Sequence, residues 1–141
     1  MNSLFDTNVL SEYKRRSADP GVLAWLAQAD FETVFVSVAT LSEIRMGIDR
    51  LAASRRRDEL EQWLTVDLPI EMGDRVLDIT LPIADRCGSI RARAFRAGRP
   101  MAVIDAMLAA TAEVERLTLV TRNVSDFEVW GGPVFNPWTQ A

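Results

Sequence analysis

The chain has 141 residues, 48% of them apolar, and a formal net charge of −4 from 16 basic and 20 acidic side chains. That length suits one domain spanning 1–141 with its own core, and an acidic balance argues against holding nucleic acid by bulk charge. Histidine is absent, which excludes a Ser-His-Asp triad, a Cys-His dyad and the ordinary zinc sites.

The first element is the apolar run Leu4-Phe5, a buried strand that ends in Asp6. Asn8 reads as the cap of a helix over roughly Val9–Lys14. Asp6 then stands at the carboxyl end of a strand, where open α/β sheets bind ligands. A plain turn cap is the other reading of Asp6. Asp19-Pro20-Gly21 is a turn, followed by a short helix with Val22, Leu23, Trp25 and Leu26, ending near Gln28–Asp30. Thr33 to Val38 is β-branched and aromatic, and predicts a second buried strand. Ser37 or Thr40 can cap the next helix, whose apolar stripe is Leu41, Ile44, Ile48 and Leu51. Glu43 lies at the border of that stripe, able to face a cleft or simply solvent.

Ser54 to Glu59 is a charged break with three successive arginines, either a solvated helix start or a patch facing RNA. Leu60, Trp63 and Leu64 predict a helix ended near Leu68-Pro69. Arg75 to Ile79 fits a weak strand or a helix. Leu81-Pro82-Ile83 opens a helix through about Ala97, closed by Gly98. A further helix starts at Pro100-Met101-Ala102, with Val103, Met107, Ala110, Val114 and Leu117 on one face. Asp105 lies in its first turn, where the helix dipole favours a carboxylate, on a face continued by Ala109 and Ala112. Thr118 to Thr121 is a strand followed by Arg122, Asn123 and Asp126, and Val134-Phe135 is the last strand. Alternating strands and helices predict an α/β fold: a three-layer α/β/α sandwich around a mainly parallel sheet of four to five strands.

Cys87 is the only cysteine, which excludes an internal disulfide and fits a reducing, cytoplasmic setting. No apolar run approaches the roughly 18 residues a membrane helix needs, so no membrane partner is expected. Four acidic residues recur beside these elements: Asp6, Glu43, Asp105 and Asp126. Without histidine, hydrolytic chemistry falls to carboxylates, Ser/Thr, Lys, Tyr or a hard cation. Mg²⁺ and Mn²⁺ take the oxygen ligands that Asp and Glu supply.

The pattern resembles the PIN-domain family, and within it the VapC and FitB toxins of bacterial toxin–antitoxin pairs. The matching residues are Leu4 to Glu12, Ser42 to Gly47, Ile104 to Ala112 and Thr121 to Phe127. They span nearly the whole chain in the family order, with no acidic position missing. The resemblance implies a Mg²⁺- or Mn²⁺-dependent ribonuclease restrained by a cognate antitoxin protein. It implies a homodimer within a larger toxin–antitoxin assembly, and contact with DNA only through the antitoxin. Asp6, Glu43 and Asp105 would hold metal, directly or through water. Asp126 would help place a second metal or orient the attacking water. Thr7, Asn8, Thr121 and Asn123 would support them or touch phosphate, and products would carry 5′-phosphate and 3′-hydroxyl ends.

Arg45, next to Glu43, is a candidate for the scissile phosphate. A wider basic rim comprises Lys14, Arg15, Arg16, Arg91, Arg93, Arg96, Arg99 and Arg122. Val22, Trp25, Leu26, Ile48, Leu51, Leu60, Trp63 and Leu64 are a pool from which a groove for an antitoxin helix can be drawn. The alternative is a catalytically inactive PIN-like module acting through antitoxin or RNA contacts. A dehalogenase-like phosphatase would carry a second Asp where Asn8 stands. A receiver domain would need a late lysine, and Lys14 is the only lysine.

Overall fold

The computed structural model describes residues 1–14 and 17–139. The strands are β1 (Ser3–Phe5), β2 (Val34–Ser37), β3 (Val76–Leu77), β4 (Thr118–Val120) and β5 (Val134–Phe135). They form one sheet in the order β3-β2-β1-β4-β5, and every neighbouring pair is parallel. β1 lies at the centre, with Leu4 opposite Phe35 on one side and Leu119 on the other.

The helices are α1 (Thr7–Glu12), α2 (Pro20–Gln28), α3 (Val38–Asp49), α4 (Arg55–Gln62), α5 (Leu68–Met72), α6 (Leu81–Arg96) and α7 (Val103–Glu115). Strand side chains alternate between the two faces of the sheet. Leu4 and Leu119 enter one core with Ile83 and Ile90 of α6 and Ala106 and Leu108 of α7. Phe5 and Val120 enter the other with Leu10 of α1, Leu26 of α2 and Ile44 of α3. This is the expected three-layer arrangement, and short, mainly apolar strands are what a parallel sheet covered on both faces requires.

Three details depart from the sequence reading. Thr33 lies in a 3₁₀ turn rather than in β2, and Val38 already belongs to α3, capped by Ser37. The helix around Trp63 does not end at Pro69. A π-helical stretch, Trp63–Asp67, follows α4, and α5 then carries Pro69 in its first turn. A first-turn proline needs no intrahelical N–H bond, so the chain stays helical there.

The buried face of α7 also differs from the expected stripe. Val103 is 42% exposed and Val114 is 37% exposed, whereas Ala106, Ala109, Ala110 and Ala112 are buried. Small side chains let neighbouring backbone approach closely, and that outweighs the bulk of two valines. Arg116 caps this helix in the left-handed conformation, φ 58°. Thr80 caps α6, and Gly98 closes it at φ 73°.

Candidate active site

Strand order reverses at β1. The chain runs outward from β1 to β2 and β3, and later fills the other side with β4 and β5. A crevice therefore opens at the carboxyl ends of β1 and β4. Asp6 and Thr121, the residues directly after these two strands, face each other there. The Thr121 hydroxyl donates to Asp6 Oδ2 at 2.7 Å, and the Asn123 N–H donates to the Thr121 oxygen at 3.0 Å.

Asp6, not Asn8, caps the first helix. Its backbone is extended as it leaves β1, and Oδ1 accepts the Thr7 N–H at 2.6 Å. The helix accordingly begins at Thr7 and ends at Glu12. The turn-cap reading of Asp6 is thus correct, and it does not compete with a second role, because Oδ2 faces the crevice residues. Asn8 links two segments instead. Its amide donates to Asp6 Oδ2 at 3.4 Å, and its Oδ1 accepts the Arg122 N–H at 3.2 Å.

Glu43 projects from α3 at the border of the buried stripe, half-buried. Its Oε1 accepts the Thr7 hydroxyl at 2.6 Å. Thr7 therefore holds Asp6 through its N–H and Glu43 through its hydroxyl. Asp105 lies in the first turn of α7, and Asp126 follows β4 in a short 3₁₀ turn, Val124–Phe127. These two carboxylates line one cavity of about 270 Å³ together with Arg99, Met101, Ala102 and Ser125. Of these lining residues, Met101, Ala102 and Ser125 were passed over in the sequence. Nothing in their type marks them before the α7 start and the 3₁₀ turn are brought together.

The carboxylates act on one another. Asp105 is pushed up to about 6, first by burial and then by the charges of Asp6, Asp126 and Glu43. So all four sequence-selected acids lie within electrostatic reach. Among the described residues no three Asp, Glu or Cys side chains are gathered tightly enough to hold an ion as they stand. Like charges hold apart, and Asp6 and Glu43 are turned toward threonine hydroxyls. The chemistry of the donor set, all carboxylate oxygen with hydroxyls behind it, nonetheless suits a hard divalent cation.

The basic rim is only partly where the sequence placed it. Arg45 bonds Asp49 at 3.1 Å and Glu61 at 3.0 Å, so its guanidinium is engaged along α3 and α4 instead of with the four acids. Arg99 pairs with Glu128 at 3.1 Å beside the Asp105 cavity, and Arg93 donates to the Trp130 carbonyl at 2.9 Å. Arg91 and Arg96 are exposed on α6. The Lys14 ammonium lies 5.7 Å from the Trp63 ring, and the Arg122 guanidinium lies 5.1 Å from the Trp138 ring. Arg15 and Arg16 fall outside the described residues.

The groove pool divides in the same way. Val22, Leu26, Ile48, Trp63 and Leu64 are core, and Trp25 and Leu60 pack against that core, which leaves Leu51 as the exposed member. Ile48, Leu51, Leu60 and Trp63 line a cleft of about 220 Å³ that reaches Thr7 and Glu43. An apolar cleft thus opens directly beside the carboxylates. Among the described residues, no helix is long and apolar enough to cross a membrane.

The chain is similar to known proteins over nearly its full length. The chain is 34% identical over 135 residues to Toxin FitB of Neisseria gonorrhoeae (strain ATCC 700825 / FA 1090), covering 96% of this chain and 97% of that protein. It is 32% identical over 138 residues to VapC ribonuclease Y4jK of Sinorhizobium fredii (strain NBRC 101917 / NGR234), covering 98% of this chain and 99% of the other. The crystal structure of FitAcB from Neisseria gonorrhoeae superposes with a TM-score of 0.91 at 34% identity, over 97% of this chain and 99% of that one. Residues 3–128 match the family described as PIN domain, and the chain belongs to that family.

Proposed function

We propose that the protein is a metal-dependent endoribonuclease and the toxin of a toxin–antitoxin pair. The observation that carries this reading is the set of four acids at the carboxyl end of the sheet, with Asp6 and Thr121 bonded across the crevice and Asp105 and Asp126 lining one cavity. Retaining mutually repelling carboxylates costs stability, so a cluster of them marks a functional site more than a structural one. The relatives named a toxin and a VapC ribonuclease support the same direction.

Asp6, Glu43 and Asp105 would hold Mg²⁺ or Mn²⁺, with Asp126 completing the negative set. When bound, the cation offsets charge on the phosphate in the transition state and acidifies water. The chain's own residues do the rest. Thr7 and Thr121 fix the rotamers of Glu43 and Asp6 through the 2.6 Å and 2.7 Å bonds described above. Asp126, exposed at the mouth, would orient a water or accept its proton. Asn8 ties the loop after β4 to α1, and the Asn123 N–H braces the Thr121 oxygen within that loop.

An antitoxin helix fits the cleft lined by Ile48, Leu51, Leu60 and Trp63, since an apolar stripe at helical spacing would fill it beside the acids. The decisive test is cleavage of RNA by purified protein with Mn²⁺, with chelator, and as Asp6→Asn. Cleavage that requires the metal and disappears in the variant is expected. Cleavage undiminished by chelator or by Asp6→Asn would overturn the metal reading.

A further inference from the structure

Among the described residues, several arginine side chains are occupied. Arg45, Arg86 and Arg99 pair with carboxylates, while Arg75 and Arg93 donate to main-chain carbonyls. Arg122 differs. Among the described residues it has no ion-pair partner, and its exposed guanidinium lies 5.1 Å from the centre of the Trp138 ring.

We propose that Arg122, stacked on Trp138, forms a platform that holds a nucleotide of single-stranded RNA beside the carboxylate cluster. This inference rests on the ribonuclease reading and adds to it the residues that grip the substrate. Three observations carry it.

The first is location. The Arg122 N–H is held by Asn8 Oδ1 at 3.2 Å, and the preceding residue, Thr121, holds Asp6 at 2.7 Å. A nucleotide on Arg122 would therefore lie next to the acid at the end of β1. The second is rigidity. Trp138 is half-buried against the core cluster that also carries Trp25 and Phe135, and its N–H is fixed by Asn136 Oδ1 at 2.9 Å. The stack thus has one anchored ring and one face open to solvent. The third is charge. The whole chain is at −4, so attraction for a phosphate must come from a cation that no carboxylate neutralises. A guanidinium on an aromatic ring offers in-plane donors to phosphate and a flat outer face to a base.

The test measures binding of a fluorescent single-stranded RNA oligonucleotide to Asp6→Asn protein with Mn²⁺, over several salt concentrations. Arg122→Ala should weaken binding about tenfold, the loss of one stacked base and one phosphate contact, and should flatten the salt slope by about 0.7. Arg122→Lys should restore the slope without restoring the affinity. Trp138→Phe keeps the apolar anchor, so its melting temperature should hold while binding weakens to a lesser degree. In the cleaving protein, Arg122→Ala should raise KM and leave kcat nearly unchanged. Unchanged affinity in Arg122→Ala, with normal RNA cleavage by wild type, would overturn the platform alone. RNA neither bound nor cut by wild type would overturn both the platform and the ribonuclease reading.

Discussion

The two ends of the sheet offer different things. At the amino end a cavity of about 370 Å³ opens between Met1, Ser3, Trp25, Gln28, Asp30 and Thr33. At the carboxyl end the cavity beside Asp105 is smaller, about 270 Å³. Volume alone would favour the first. Its carboxylate, Asp30, is used locally: Oδ1 accepts the Glu32 N–H at 3.1 Å and caps a 3₁₀ turn. At the other end Asp105 keeps a charge that burial and three neighbouring acids oppose. A space becomes a candidate site when groups are held there against their own preference, and the larger cavity has none such.

The largest break in this comparison is Asp6→Asn against Asp30→Asn. The first should lower Mn²⁺-dependent RNA cleavage at least about a hundredfold, the scale of losing one key electrostatic contact in a transition state. The second should leave single-turnover cleavage within about twofold of wild type, since its role is a local cap. Equal losses in both would erase the distinction between the two ends.

Thr121→Val asks whether the hydroxyl holding Asp6 matters. The substitution keeps the shape and removes one bond to a charged oxygen, a loss of about 1.5 kcal/mol. Cleavage should fall about tenfold with Asp6 still present. Normal rates would mean that the bonds from Thr7 and Asn8 suffice to position Asp6.

Metal should separate the ends thermodynamically. Mn²⁺ at a hundred times its dissociation constant stabilises a folded protein by about 2.7 kcal/mol. Melting temperature should rise in wild type and Asp30→Asn, and rise less in Asp105→Asn. Identical shifts in all three proteins would remove Asp105 from the ligand set.

In chelator, pH sharpens the same contrast. Asp105 titrates near 6 in the folded protein against an ordinary value of 3.8. A raised carboxyl favours the folded state only while protonated, so stability is lost as pH rises from about 4 through about 6. Asp105→Asn should therefore be more stable than wild type at pH 7.5 and lose that advantage by pH 4. Denaturant melts at the two pH values check the sign. An advantage that grows on acidification would contradict it.

The smallest effect tests neither end. Arg116→Gly relieves a left-handed residue after α7 and should add about 1 kcal/mol or less of stability without touching cleavage. Denaturant midpoints read it. A destabilised variant would mean that the Arg116 side chain contributes more than its backbone costs.

The sequence was informative where local rules and tertiary structure agree. Strand cores such as Leu4-Phe5 and Leu119-Val120 are apolar on both faces, and Asp105 falls in a first turn where a carboxylate is expected. It was less informative where the partner is remote. Thr121 and Asp6 are 115 residues apart in sequence, and no periodicity links them. Arg45 looks available until Glu61, on another helix, is placed beside it. The valines of α7 looked like the core face because bulk is visible in a sequence and close approach is not. Trp138 drew no notice, since a lone tryptophan after a turn acquires meaning only once Arg122 lies over it.

The central position of β1 has a consequence for synthesis on the ribosome. β1 emerges early, but its Asp6 N–H bonds the carbonyl of Val120 and its side chain bonds Thr121. A nascent chain lacking β4 therefore presents the first acid without the strand that fixes it. Such long-range parallel pairing is also slow to form. The finished crevice cannot exist until residues 118–126 have left the ribosome and docked. Each new molecule of this protein thus passes through an interval, set by topology alone, in which its first acid is present before the crevice around it is complete.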